Sequence, residues 1–317
     1  DTIDLVPFRA AVDAGIDAVM TAHILVPALD DSGLPATFSK PILTDLLKGE
    51  MGFRGIVITD ALTMAGAKVF QTEEEMPVKA ILAGVDLILM PEHLPLQYNA
   101  VLNAVKDGTI PMERIDDAVY RILRVKMKQG LFNDSFTTLE AAQAIGSPEN
   151  MAQADLVADK TITLLRNDAG LLPLTANGQK VLVTGYGLTT TASLAGYLNE
   201  RGLTATVYQT GTSPGANVIA NAVAKAADAD LIIVSTYNMR PTSSQVNLVD
   251  ALLATGKPVV TVAVRNPYDL AVLPGVQTSL ATYSYRPVSL KALVRVLFGD
   301  VNPSGLLPVA IPGLYDY

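Results

Sequence analysis

Gly55-Ile-Val-Ile-Thr-Asp60 is a short run of apolar, largely β-branched residues that ends on a carboxylate. Its apolar character is continuous rather than alternating. That pattern marks a strand buried on both faces, as in parallel sheets covered by helices. On its N-terminal side, Pro41–Met51 (PILTDLLKGEM) reads as a helix with Ser39 as N-cap. Asp17–Ala22 (DAVMTA) reads as the strand before it. On the C-terminal side, a helix around Met76–Ala83 leads to a third strand, Val85–Met90 (VDLILM). Helices over Leu94–Lys106 and Met112–Gln129 follow. Residues 1–130 therefore predict three βα units of a parallel α/β structure. Three units cannot close a barrel of eight, so alone they would leave open sheet edges. The first residues, DTIDLVPFRAAVDAG, already read as an amphipathic helix with no basic leader character, so the chain is expected to begin inside a domain.

Gly130-Leu-Phe-Asn-Asp134 breaks the last of these helices, and residues 131–160 read as a linker with a helix over Asn150–Lys160. Residues 161–317 start a second α/β pattern. Its expected strands are Val181–Thr184, Ala205–Tyr208, Leu231–Ser235, Val259–Val264 and Ser279–Thr282. Helices are expected over Thr191–Arg201, Ala216–Ala227 and Ser243–Ala254. This is the layout of a doubly wound αβα sandwich, complete enough to fold alone.

Composition narrows the function. Half of the 317 residues are hydrophobic, 17% are charged and the formal charge is −8. These values predict large cores and no basic surface for nucleic acid. With no cysteine, thiolate metal sites, cysteine nucleophiles and disulfides are excluded, and no compartment is selected. No run of ~18 apolar residues suggests a membrane span. The two histidines, His23 and His93, have no metal-ligand spacing, and no cofactor is expected.

Asp60 closes a buried parallel strand at the end where α/β barrels carry their active sites. It reads either as a nucleophile or as a cap for the following helix. His23 ends the first strand, where it can touch a substrate, orient neighbouring loops or simply satisfy a strand end. His93 reads as a rim-loop residue. Met20 and Met90 lie near strand ends, where each can line a pocket or pack in a core. Asp30-Asp31 reads as a solvated turn. Gly185-Tyr-Gly-Leu-Thr-Thr190 lacks the full G-x-G-x-x-G of a nucleotide fold and reads as a plain strand-to-helix turn.

Several ordered stretches carry a resemblance to a known family. They are Leu5-Val-Pro-Phe8, Asp17-Ala-Val-Met-Thr-Ala-His23, Pro27-Ala-Leu29, Pro35-Ala-Thr-Phe-Ser-Lys40 and the segment Gly52–Met64. Together they resemble family 3 glycoside hydrolases of the β-N-acetylglucosaminidase type. Lys160–Asn167, Leu171–Leu174, Arg265–Asp269 and Pro303–Val309 resemble landmarks of that family's C-terminal domain. The resemblance implies the last three βα units of an incomplete (β/α)8 TIM-type barrel, followed by the sandwich domain. It implies that Asp60 is the nucleophile of a retaining mechanism, with Met20 and His23 as substrate-binding candidates. β-Glucosidases of the family usually follow the nucleophile with Trp. This chain has no Trp and reads Asp60-Ala-Leu-Thr-Met64, which favours the N-acetylglucosaminidase branch.

In that branch the acid/base is a His held by an Asp, in a stretch upstream of Asp1. The expected partners are thus a carbohydrate and the N-terminal half of the chain's own barrel. The expected activity is exo-hydrolysis of terminal β-linked N-acetylglucosamine from cell-wall fragments or chitooligosaccharides, with residues 1–317 alone inactive. A β-glucosidase, a β-xylosidase, a phosphorolytic variant and a non-catalytic sugar-binding relative are the alternatives.

Overall fold

The computed structural model describes residues 3–69 and 71–316. They form a mixed α/β fold dominated by parallel strands, in two compact units, Asp1–Thr137 and Thr138–Tyr317.

In the first unit, β1 (Ala18–Met20) and β2 (Ile56–Ile58) pair in parallel, with Val19 opposite Val57. Helices over Val6–Asp13, Pro41–Glu50, Glu75–Ala83, Leu94–Lys106 and Met112–Lys128 accompany them. Phe53, Val57, Leu62, Met76 and Val85 are fully enclosed and form its core. Ser39 accepts a hydrogen bond from Ile42 N–H at 3.3 Å, and its hydroxyl donates to Asp30. Asp30 also accepts from Ser32 N–H at 3.0 Å, so this carboxylate closes its own turn. The helix over Pro41–Glu50 is wound loosely, and Met51 N–H closes it by reaching back five residues to Leu46 O at 2.8 Å.

The third strand expected over Val85–Met90 is reduced to a single bridge, Leu87 beside Ile58. Side chains displace the ladder on both sides of it. The Asp86 carboxylate accepts Val57 N–H at 2.9 Å, and Thr59 Oγ1 accepts Leu89 N–H at 2.9 Å. The segment still runs beside β2, so it brings Met90 to the same end as Met20 and Asp60.

The second unit is a six-stranded sheet in the order β3-β8-β7-β6-β4-β5. Its strands are β3 (Thr163–Asn167), β4 (Lys180–Gly185), β5 (Thr204–Gln209), β6 (Leu231–Thr236), β7 (Val259–Ala263) and β8 (Thr278–Ala281). All pairs are parallel except β3 with β8. Helices over Pro148–Thr161, Leu188–Glu200 and Pro287–Leu297 bury one face of the sheet. Those over Ala216–Ala226 and Ser244–Leu253 bury the other. β6 and β7 are buried at every residue, which explains their unbroken apolar reading. Among the described residues no helix is long and apolar enough to cross a membrane.

Candidate active site

The parallel register puts the C-terminal ends of β1 and β2 side by side, since Met20 faces Ile58. Past those ends lie Thr21–His23 on one segment and Thr59–Asp60 on the next. Thr21 N–H continues the ladder to Ile58 O at 2.8 Å. Met20 is 58% exposed on this rim, and Met90, in a left-handed conformation at φ +47°, is equally exposed.

Asp60 is half-buried, and its Oδ1 accepts the N–H of Ala61 at 2.7 Å. The next helix, Ala65–Lys68, begins after Met64 and has no side-chain cap. The capping alternative for Asp60 therefore fails on geometry. Its other oxygen takes no hydrogen bond from the described residues.

His23 explains why the loop after Asp60 holds its shape. Its Nε2–H donates to Ala61 O at 3.1 Å, and Nδ1 lies 2.8 Å from Thr37 Oγ1. Thr37 is fully buried and also meets Thr21 Oγ1 at 2.9 Å and Ala22 O at 3.1 Å. A single peptide unit, that of Asp60 and Ala61, is thus followed by a carbonyl bound to His23. The amide of that unit binds Asp60. Both ring nitrogens of His23 are engaged by the protein. Gly66 packs on its back: a Cβ there would stand 3.1 Å from His23 Cβ and 3.2 Å from His23 O. The ring also stacks on Phe38, 6.4 Å between centroids.

His93 sits on the exposed surface, 2.6 Å from the Glu73 carboxylate, whose hydrogen bond raises its pKa above the ordinary histidine range. Among the described residues no group of three or more His, Asp or Glu side chains is arranged to hold a metal ion.

Sequence reasoning missed the charged cluster beneath β2. Asp86 has no exposed side-chain surface, and it binds Lys48 at 2.8 Å and Arg114 at 2.5 Å. Arg121 donates to Phe53 O at 3.3 Å and Gly55 O at 3.2 Å, both on the segment entering β2. Burial lowers the Lys48 pKa, against the pull of Asp86. These charges lie at the N-terminal end of β2, opposite Asp60. They hold the loop entering β2 against the helices rather than facing the rim that carries Asp60. They are dispersed in sequence over residues 48, 86, 114, 117 and 121, so no local motif announces them.

Two profiles of one family match the chain. The glycosyl hydrolase family 3 N-terminal domain covers residues 1–125, and the glycosyl hydrolase family 3 C-terminal domain covers residues 162–316. The chain belongs to glycosyl hydrolase family 3. It is 30% identical over 345 residues to a β-N-acetylglucosaminidase/β-glucosidase of Cellulomonas fimi, across 98% of this chain and 61% of that protein. Over 115 residues it is 46% identical to a β-hexosaminidase of Chromobacterium violaceum, covering 36% of this chain and 31% of the relative. In three dimensions it is similar to a family 3 β-N-acetylglucosaminidase from Paenibacillus sp. str. FPU-7. That match has a TM-score of 0.87 and 32% identity, over 97% of this chain and 61% of the other. The chain thus spans about three-fifths of the longest-matched relatives.

Proposed function

We propose that the protein is the nucleophile-bearing part of a retaining, exo-acting β-N-acetylglucosaminidase, with Asp60 as nucleophile. The observation that carries the reading is the free oxygen of Asp60 at the mouth of β2, beside a loop pinned by His23. The carboxylate attacks the anomeric carbon of a terminal sugar while the glycosidic C–O bond breaks, and the leaving oxygen takes a proton from an acid. Water then attacks the same carbon, gives its proton to that group and releases Asp60. The Ala61 N–H holds one carboxylate oxygen so that the other points outward. Met20 supplies an apolar wall at the rim.

In this proposal the proton donor comes from barrel units outside residues 1–317, and those units are the chain's first partner. The similarity to proteins of which this chain spans about three-fifths supports that division. Cell-wall fragments and chitooligosaccharides are the proposed substrates. A second reading, β-glucosidase activity, has support from the double name of the Cellulomonas fimi relative.

The test uses a polypeptide extended to include the upstream units, offered chromogenic N-acetylglucosaminide and glucoside. The expected result is faster release from the first, no phosphate requirement and no release by residues 1–317 alone. A fluorinated glycosyl donor should add one sugar mass to the peptide containing Asp60. A label on another residue, or a product of inverted configuration, overturns the assignment of Asp60. Equal turnover by residues 1–317 overturns the placement of the proton donor.

A further inference from the structure

The second unit has a topological feature that the reading of Asp60 does not use. β4 lies between β5 and β6, so the chain winds outward from β4 in one direction and then returns to build the other. In doubly wound sheets, the crevice outside the carboxyl ends of the strands at such a reversal is where ligands bind. Here the reversal falls between β4 and β6. The first residues beyond those two strands are Tyr186 and Tyr237.

The two rings stack, with centroids 4.1 Å apart and planes 26° apart. Tyr285, beyond β8, meets Tyr186 edge-on at 5.7 Å. All three are half-buried, with their bodies against the core of one sheet face. Their backbones are fixed too. Tyr186 N–H binds Ser235 O at 2.9 Å, and the Ser235 hydroxyl returns a bond to Tyr186 O at 3.0 Å. Asn238, left-handed at φ +47°, is held by Asn266 Nδ2 at 2.6 Å. Asp269 accepts Met239 N–H at 2.7 Å and ties down the same loop.

Charge is distributed unevenly along this edge. The segments that follow β4, β6, β7 and β8 carry Arg240, Arg265 and Arg286, and their only carboxylate is Asp269, which is 1% exposed. None of the three arginines has an ion-pair partner among the described residues, in a chain of net charge −8. Arg265 lies 5.2 Å over the Tyr237 ring and hydrogen-bonds its hydroxyl, and Arg286 lies 5.7 Å over Tyr285. Stacked rings offer a face to the C–H side of a sugar, and guanidinium forks match carboxylate or phosphate.

We propose that this edge is a binding site for an anionic sugar, a pyranose that bears a carboxylate or a phosphate. The ring rests on the tyrosines and the anion on Arg265 and Arg286. A nucleotide would also offer a ring and a charge. The turn after β4 reads GYGLTT, however, and has Thr190 where the dinucleotide fingerprint has its third glycine, the one that lets the helix pack closely on the strand. The site lies wholly within the second unit and does not depend on the role of Asp60.

Calorimetric titration of the 317-residue chain with glucuronate, glucose 6-phosphate, glucose, inorganic phosphate and ATP tests the proposal. One or both acidic sugars should bind at least about tenfold more tightly than glucose and than phosphate, and more weakly as salt is raised. Arg286→Gln should weaken that binding by about tenfold with the melting curve unchanged, Tyr285→Ala should weaken it similarly at a temperature where circular dichroism shows the variant folded, and Asp60→Asn should leave it intact. Arg265→Gln should act similarly. No binding of either acidic sugar, binding equal to that of glucose, or insensitivity to both the Arg286 and Tyr285 changes would overturn the proposal. So would phosphate binding as tightly as the sugar phosphate, which marks a bare anion site, or tighter binding of ATP, which marks a nucleotide site.

Discussion

Asp86→Ala should destabilise the first unit severely without touching the rim that carries Asp60. The magnitude follows from what is left behind. Asp86 is fully enclosed and binds Lys48 at 2.8 Å, Arg114 at 2.5 Å and Val57 N–H at 2.9 Å. The side chains of Lys48 and Arg114 are only 10% and 16% exposed. Removing one partner of a buried ion pair typically costs about 3–5 kcal/mol, because the other charge stays buried. Asp117 remains 3.6 Å from Lys48 and 3.2 Å from Arg114, which moves the expectation to the lower end, about 3 kcal/mol. Unfolding entropy runs near 2.1 cal/mol/K per residue, or about 0.3 kcal/mol/K for a unit of this length, so Tm should fall by roughly 10 °C. Differential scanning calorimetry on the 317-residue chain reads this as a shift of the first unit's transition, with that of the second unit in place. Asp60→Asn is the control and should shift the same transition by no more than roughly 2 °C, as a half-buried group with one hydrogen bond. If Asp86→Ala melted with the parent protein, the cluster would contribute nothing net, and its placement under β2 would need another explanation.

Three further outcomes are expected. In the extended, active polypeptide, His23→Ala should lower kcat by about 10- to 100-fold with little change in KM, since misplacing a reacting group by a fraction of an ångström has effects of that order. Steady-state kinetics with a chromogenic substrate checks the split, and a change confined to KM would instead assign His23 to direct sugar contact. Gly66→Ala should cost about 1–3 kcal/mol in urea unfolding, because its new methyl meets His23 at 3.1 Å against packed backbone. Burial raises the Asp269 pKa above 3.8, with the Met239 N–H opposing, so the native state holds that proton more tightly than the unfolded chain. The contribution of Asp269 is therefore fully present below pH 3.8 and is lost as pH rises through the raised native value. Asp269→Asn should raise the second unit's Tm at neutral pH and change it little near pH 3, and the opposite order in pH-dependent melting would refute the sign.

The elements that sequence made legible are those whose burial is uniform. β2, β4, β6 and β7 read as continuous apolar runs because both faces are covered. The third segment of the first unit looked equally strand-like, yet its backbone bonds to β2 are confined to Asp86 and Leu87, and the Asp86 and Thr59 side chains take the N–H groups of Val57 and Leu89. No propensity argument anticipates that substitution. β3 escaped notice as a short antiparallel edge strand with a register shift between Leu164 and Arg166. The helix over Pro287–Leu297 also went unassigned. Seven of its eleven residues are buried, and only Lys291 and Arg295 mark the polar side of its periodicity. At the site, strand position and family resemblance singled out Asp60, but the hydrogen bond from His23 to Ala61 spans 38 residues and only the fold reveals it.

Asp60 follows β2 and Asp86 lies on the segment beside it, and their hydrogen bonds differ in a way that suits only the first to the chemistry proposed. An ionised carboxylate has about four lone-pair positions. Asp86 fills its two oxygens with Lys48, Arg114 and a backbone N–H, and its side chain has no exposed surface. Attack on an incoming carbon would require breaking a charge-assisted bond in a dry interior, which is costly on its own account. Asp60 spends one oxygen on Ala61, and among the described residues no donor binds the other. Its restraint comes through the backbone, by way of His23 and Thr37, rather than through a salt bridge that would blunt it. Two neighbouring parallel segments thus carry a saturated anion, Asp86, which binds across to β2, and Asp60, which follows β2 and has the less saturated carboxylate.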